Sequence, residues 1–325
     1  MNNIFTQLEA SGLTGRGGAG FLTAKKWRMF LAAENTEKYI VCNAAEGEPE
    51  VAKDFFILDN YAREVVGGIA LALKTFKAKE AYIYLNPDYW EHFEGTLAKQ
   101  IGKLPIKLFK KPHGYIAGEE TTLLEAIEGD MLMPRPRPLY PIESGLWGYP
   151  TLINNVETFY YVYQISKGNY RGTRFYTIGG EVTRPGNYEL GEDLSIKQVL
   201  EQTQNWPQFE FFVQAGGGAS GEILLATELD EPLKGAGSLV IYNKETTDPW
   251  KLMLKWVDFY RLGNCGKCVP CREGFYRLKE MLMSGRQDKE LVKKLALNMR
   301  QTSFCPLGRS GYVPLMSLLE KIIGA

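Results

Sequence analysis

Three cysteines, Cys265, Cys268 and Cys271, stand in "NCGKCVPCREGF" with two residues between neighbours, and Cys305 precedes Pro306 in "TSFCPLG". No other feature constrains the fold as strongly. Two-residue gaps let one loop bend round a cube-shaped cluster and offer three thiolates to three irons; in bacterial ferredoxins the fourth ligand is remote and followed by proline. The chain must therefore return the Cys305 segment to the triplet, and one 4Fe-4S cluster is the favoured occupant of Cys265, Cys268, Cys271 and Cys305. Structural zinc is the competing reading, although zinc sites usually show two separated C-x2-C pairs. Lys267, Arg272 and Arg309 lie near these ligands, where positive charge favours the reduced, more negative cluster. Cys42 lies in an apolar run and reads as a small buried hydrophobe.

Lys plus Arg and Asp plus Glu are 38 each in 325 residues, so bulk charge gives no reason to expect nucleic acid or an anionic membrane as partner. The start, "MNNIFTQLEASG", lacks a basic segment followed by an apolar run. No apolar stretch approaches the roughly 20 residues of a membrane helix. The expectation is a cytoplasmic protein without direct membrane insertion.

Hydrophobic periodicity divides the chain. Tyr39–Cys42 and "EAYIYLN" read as strands, while "NYAREVVGGIALALKTF" and "YWEHFEGTLAKQIG" have helical spacing, which is the order of an α/β unit with parallel pairing. The proline-rich Met133–Pro141 reads as an extended crossing segment. From about Thr173, strands, one helix ("SIKQVLEQT") and further strands suggest a small α+β domain of β-grasp type. From about Trp250 onward the spacing is that of a helical bundle. The expected domains are 1–168, 169–243 and 244–325.

"GRGGAGF" fits G-x-G-x-x-G at Gly15, Gly17 and Gly20. It follows a helical stretch, however, where a dinucleotide fingerprint follows a strand. The loop leaves anion binding and a tight structural turn both open. Free N–H groups ahead of the helix "TAKKWRMF", with Arg16, Lys25 and Lys26, would suit a phosphate. "CNAAEGEPEVAKD" places Glu46, Glu48, Glu50 and Asp54 on one loop, suited to chelation, ribose hydroxyls or plain solvation. Glu119 and Glu120 precede a helix start and would be explained by its dipole alone. Asn154 and Asn155 suit either a nucleotide or a helix cap.

Taken in order, "GRGGAGF…KKW", "CNAAEGEPE", "YIAGEETTLLEAIEG", "TLINNVET", "CGKCVPCREG" and "FCPLG" resemble the NADH-binding flavoprotein subunit of respiratory complex I. The same module occurs in NAD-linked hydrogenases, formate dehydrogenases and electron-bifurcating complexes. The resemblance covers nearly the whole chain. It implies an α/β plus α+β architecture: a Rossmann-like FMN and NAD(H) domain, a β-grasp domain, and a C-terminal helical bundle carrying one 4Fe-4S cluster. It implies that Gly15, Arg16, Gly17 and Gly18 wrap FMN, with Lys26 near its phosphate and ribityl chain. Asn43 and Glu46 would line the flavin. Tyr115, Gly118, Glu119 and Glu120 would border flavin and nicotinamide, and Glu119 or Glu120 would influence the flavin's potential. Asn154, Asn155 and Thr158 would hold the FMN phosphate end, Phe21 would stack on adenine, and Glu48 would accept from the dinucleotide's hydroxyls.

The implied activity is reversible hydride exchange between NADH or NADPH and FMN, with single electrons passed through the cluster to a partner subunit. The implied partners are a thioredoxin-like 2Fe-2S subunit or other iron–sulfur subunits of a larger redox complex, peripheral on the cytoplasmic side of a membrane where that complex is membrane-bound. Ala45 stands where the family usually has an acid, and Met29 where it usually has an aromatic. These departures motivate an alternative: a flavin and iron–sulfur docking module that has lost pyridine-nucleotide binding.

Overall fold

The computed structural model describes residues 2–35, 37–136 and 140–324. Two compact units emerge: Met1–Gly47, Ala52–His113 and Ala117–Phe175 form one, and Glu48–Val51, Gly114–Ile116 and Tyr176–Ala325 form the other. Part of the expected proline-rich segment, residues 137–139, lies outside the described residues.

In the first unit, α1 (Asn2–Ser11) and α2 (Thr23–Ala32) precede β1 (Tyr39–Ala44); α3 (Lys53–Phe76), β2 (Glu80–Leu85), α4 (Trp90–Ile101), β3 (Ile106–Lys110), α5 (Glu120–Glu128), β4 (Thr151–Asn155) and α6 (Val156–Ser166) follow. The four strands are ordered β3-β2-β1-β4 and every pairing is parallel. Alternation along β1 explains the layers. Ile40, Cys42 and Ala44 join Ile57 and Val65 of α3 and Phe159 of α6 in one core, while Tyr39 and Val41 join Leu123 and Leu124 of α5 in another. A parallel sheet must be covered on both faces, and this one is. The buried place of Cys42 matches its reading as a hydrophobe.

Two strands lack a sequence signature. β3 carries Lys107 and Lys110, and β4 ends on two asparagines. The helix expected from Asn60 begins earlier, at Lys53, and its backbone leaves helical geometry at Tyr61 (φ −136°, ψ 28°). That interruption falls where the periodicity suggested a start.

The strand order places the site. The chain runs outward from β1 through β2 to β3, then returns to the other side of β1 as β4. The direction in which the sheet grows therefore reverses between β1 and β4, and ligands of open α/β sheets bind beyond the carboxyl ends of strands at such a switch point.

The second sheet consists of β5 (Thr173–Gly180, in the second unit from Tyr176), β6 (Gly186–Gly191), β7 (Phe211–Ala215), β8 (Glu222–Leu225) and β9 (Ser238–Asn243), ordered β6-β5-β9-β7-β8, with α7 (Ile196–Gln202) between β6 and β7. β5 and β9 are parallel, whereas β7 is antiparallel to β8 and β9. Ile196, Val199 and Leu200 of α7 pack on Ile178, Val213 and Ile241. A capping box between Ser195 and Gln198 starts that helix. The bundle consists of α8 (Pro249–Gly263), α9 (Val269–Met283), α10 (Lys289–Thr302), α11 (Pro306–Ser310) and α12 (Tyr312–Leu318). Met253, Trp256, Phe275, Leu278, Val292, Met299 and Leu315 form its core. Among the described residues, no helix is long and apolar enough to cross a membrane.

Candidate functional site

Asn43 lies opposite Asn155 in the β1–β4 register, at the switch point. The Asn43 amide donates to Gly118 O at 3.0 Å, and its oxygen accepts from Ala45 N at 3.1 Å. Asn155 caps α6 by accepting from Glu157 N at 3.0 Å, and donates to Asp54 Oδ2 at 2.7 Å. The Asn154 amide, oriented to satisfy both ends, accepts from Trp27 Nε1 at 3.0 Å and donates to Ile153 O at 3.0 Å. The cap expected of these asparagines therefore forms at Asn155.

A buried set of charges lies beneath. Lys53 Nζ is 2.5 Å from Asp54 Oδ1 and 3.3 Å from Glu157 Oε2. Arg16 is buried too: its N–H donates to Thr158 Oγ1 at 3.0 Å, and its guanidinium Nε lies 4.0 Å from Glu157 Oε1. Burial works against the charge on Lys53, but Asp54, Glu157 and Glu46 outweigh it and hold the ammonium protonated. Glu46 accepts from the first N–H groups of α3, Asp54 N at 2.9 Å and Phe55 N at 3.2 Å, and from Tyr89 Oη at 2.9 Å. Burial first and the Asp54 carboxylate second push the Glu46 carboxyl up to about 7. Lys53 and Glu157 give no signal in the sequence, because single charged residues usually face water.

The glycine segment lies between α1 and α2, closed by a bridge between Thr14 and Leu22 and by Gly15 N donating to Phe21 O at 2.8 Å. Gly17, Gly18 and Phe21 are exposed at its tip. It is not a strand-to-helix fingerprint. It does, however, lead into an α2 start that has no side-chain cap from Leu22. Thr23 Oγ1, just inside α2, is buried without a hydrogen-bond partner. Lys26 Nζ reaches Ile153 O at 2.6 Å; burial lowers its pKa, and Glu120 opposes that shift. An uncapped helix start, an orphaned hydroxyl and a desolvated ammonium together form a setting for a bound anion. These residues fit a flavin carrying a phosphate.

The remaining predicted residues are placed differently. Glu119 caps α5: its Oε2 accepts from Thr121 N at 3.0 Å and Thr122 N at 2.9 Å, and from both threonine hydroxyls. The dipole explanation of Glu119 is thus sufficient for that oxygen. Glu120 opens the same helix and faces Lys26 electrostatically. Glu48 belongs to the second unit with Tyr115. Its Oε1 accepts from Tyr115 Oη at 2.8 Å and Ser220 Oγ at 2.7 Å, and its Oε2 from Ala219 N and Ser220 N, both at 3.2 Å. Four donors fill the acceptor sites of a carboxylate. The expectation for Glu48 is that it receives a dinucleotide's hydroxyls; here its carboxylate is already committed to protein donors.

Cys265, Cys268, Cys271 and Cys305 line one small pocket, together with Ile116, Asn264, Gly266, Lys267 and Leu307. Cys268 is the N-cap of α9, Cys271 sits in its first turn, and Cys305 is the N-cap of α11. Gly308 lets α11 approach: a Cβ there would lie 2.9 Å from Cys271 Cβ and 2.6 Å from Ser303 Oγ. Two of the cations noted in the sequence brace the ligand loops, Arg272 donating to Gly266 O at 2.9 Å and Arg309 to Ser303 O at 2.8 Å. Burial pushes the Cys271 thiol far up, and the neighbouring Cys268, Cys305 and Cys265 push it further. Four thiolates can be ionised together here only around a cationic core. Among the described residues, no three His, Cys, Asp or Glu side chains are gathered tightly enough for a single ion. Ser303 Oγ is buried without a partner beside Cys271, a donor available to a thiolate sulfur. Four cysteines round one pocket with a spare hydroxyl donor beside them fit a cluster held by four thiolates.

Residues 8–164 match the family model described as the Nuo51 FMN-binding domain, and residues 251–322 match that of the NADH-ubiquinone oxidoreductase-F iron–sulfur binding region. The F subunit of NADH-quinone oxidoreductase from Aquifex aeolicus is 33% identical over 358 residues, covering 98% of this chain and 84% of that one. The alpha subunit of the NAD-reducing hydrogenase HoxS from Cupriavidus necator is 30% identical over 96% of this chain, but this chain spans only 58% of it. A solved NAD+-reducing [NiFe]-hydrogenase in the H2-reduced state aligns with a TM-score of 0.88 at 29% identity, covering 98% of this chain and 60% of that one.

Proposed function

We propose an electron-input role for this chain, which belongs to the NADH-quinone oxidoreductase family of FMN-binding and iron–sulfur F subunits. It is an NADH-oxidising flavoprotein subunit, reversible in principle, with FMN in the first unit and one 4Fe-4S cluster on Cys265, Cys268, Cys271 and Cys305. When bound, FMN supplies a two-electron acceptor for hydride and the cluster supplies a one-electron carrier. The observation that carries this reading is a single polypeptide holding both a sheet switch point near an orphaned Thr23 hydroxyl and a pocket lined by four cysteines.

The chain's own residues bind, orient and shield. Thr23, Lys26 and the uncapped start of α2 would neutralise the cofactor's phosphate, assisted by Gly15, Arg16, Gly17 and Gly18. Asn43, Glu46, Asn154, Asn155 and Thr158 hold the crevice walls by the hydrogen bonds described above. Gly118, Glu119 and Glu120 would border the reacting rings. Phe21, exposed at the loop tip, offers a face for adenine. No side chain is assigned as proton donor or acceptor for the hydride step. The domains 1–168, 169–243 and 244–325 would divide flavin and nucleotide binding, soluble-ligand binding and the cluster. Electrons would leave to a thioredoxin-like 2Fe-2S or other iron–sulfur subunit, in the cytoplasm or on the cytoplasmic side of a membrane complex.

The test is cofactor analysis of anaerobically purified chain. About one FMN and four irons per chain support the assignment. Zinc in place of iron, or a chain that takes up no flavin, would refute it.

A further inference from the structure

We infer that Glu48 is a positioning residue for the iron–sulfur centre: by locking Tyr115 it holds Ile116 in place as the apolar wall of the cysteine cavity. The inference rests on the cluster assignment above. Glu48 holds four donors, two from the Ala219–Ser220 backbone, one from Ser220 Oγ and one from Tyr115 Oη. A carboxylate so saturated is an anchor, because each donor makes a charge-assisted bond to it that a neutral group in its place would weaken. Tyr115 is held from its other side by the bundle. Its ring leans on Phe259 at 4.7 Å between centroids, and its Cβ sits where a side chain on Gly263 would have to go, 2.7 Å away.

The next residue, Ile116, is 4% exposed and lines the cavity with the four cysteines. It is the one lining residue from outside the bundle's own sequence; the others fall between Asn264 and Leu307. Only Ile116 and Leu307 have hydrocarbon side chains there. Solvent access and the polarity of the wall set the potential of an iron–sulfur centre. A four-thiolate centre becomes more negative on reduction, so water entering past a loosened Ile116 stabilises the reduced form and raises the potential.

The test uses the full chain loaded with flavin and cluster, in three variants. Glu48→Gln places amide hydrogens against donors, and Tyr115→Phe deletes the hydroxyl while keeping the ring. Ser220→Ala removes one donor of the four. The readouts are a redox titration of the cluster followed by electron paramagnetic resonance, and the rate of iron loss to a chelator. Glu48→Gln and Tyr115→Phe are expected to shift the midpoint upward and speed iron loss several-fold, with Ser220→Ala shifting less in the same direction. If Glu48→Gln fails to fold, Tyr115→Phe reads the same contact from the other partner. Potentials and iron-loss rates identical to the parent chain in Glu48→Gln and Tyr115→Phe would overturn the inference. A parent chain that binds no iron would instead overturn the cluster assignment.

Discussion

Lys53 Nζ lies 3.3 Å from Glu157 Oε2, and both side chains are closed to solvent. Asp54 and Asn155 join the same network, so the start of α3 is tied to the end of β4 by buried charge. Removing one partner from such a set leaves an uncompensated charge in the interior. Lys53→Met is expected to destabilise the first unit by about 3–5 kcal/mol. Urea denaturation followed by tryptophan fluorescence measures it, Trp27 being fully buried there. A loss below about 1 kcal/mol would show that the network relaxes or hydrates.

Glu46 gives the stability a pH dependence. Its carboxyl titrates at about 7 in the folded chain against an ordinary 4.5. Between those values the folded state holds a proton that the unfolded state has lost. Stability from this group is complete below about 4.5 and is lost as pH rises through about 7. The shift corresponds to at most about 3 kcal/mol at 1.36 kcal/mol per unit, and solvent screening of this half-buried group reduces it. Burial raises Asp54 as well, in the same direction. Denaturant midpoints from pH 4.5 to 7.5 should fall with pH in the parent chain and flatten in Glu46→Gln.

Lys26 is half-buried and desolvation lowers its pKa, a cost that a bound phosphate would offset. Lys26→Met therefore leaves the apoprotein at least as stable, yet weakens FMN retention by about 10- to 100-fold, the worth of one charge-assisted hydrogen bond at about 1.5–3 kcal/mol. Flavin fluorescence during equilibrium dialysis checks this. Unchanged retention would remove Lys26 from the phosphate site.

Cys305→Ala deletes the one proposed ligand from outside the triplet. The expected outcome is loss of the visible iron–sulfur absorption and of most iron, with FMN content unchanged because the flavin crevice lies in the other unit. Full iron retention would mean that another group completes the site.

That the four cysteines come together round one pocket was legible, because their spacing is the one that cluster chemistry dictates. The parallel sheet was legible in β1 and β2, whose side chains are apolar on both faces, and illegible in β3 and β4, where lysines and asparagines mask the pattern. The acidic residues show the limit most clearly. Glu46, Glu48 and Glu119 all stand in loops and look alike in sequence. In the fold Glu46 meets the start of α3, Glu119 caps α5, and Glu48 holds Tyr115 and Ser220. Which donors a carboxylate meets is set by tertiary contacts as many as 172 positions away, and no local pattern encodes them. The same holds for Ile116, whose role follows only from the cavity it lines.

The most direct measurement is an anaerobic titration of the loaded chain with NADH, recording flavin absorbance and the cluster's paramagnetic signal together. The flavin band should bleach with about one NADH per FMN, and a signal from the reduced cluster should follow in the same tube. A chain that contains both flavin and iron yet shows neither change on addition of NADH would contradict the electron-input role and leave the docking module as the better description.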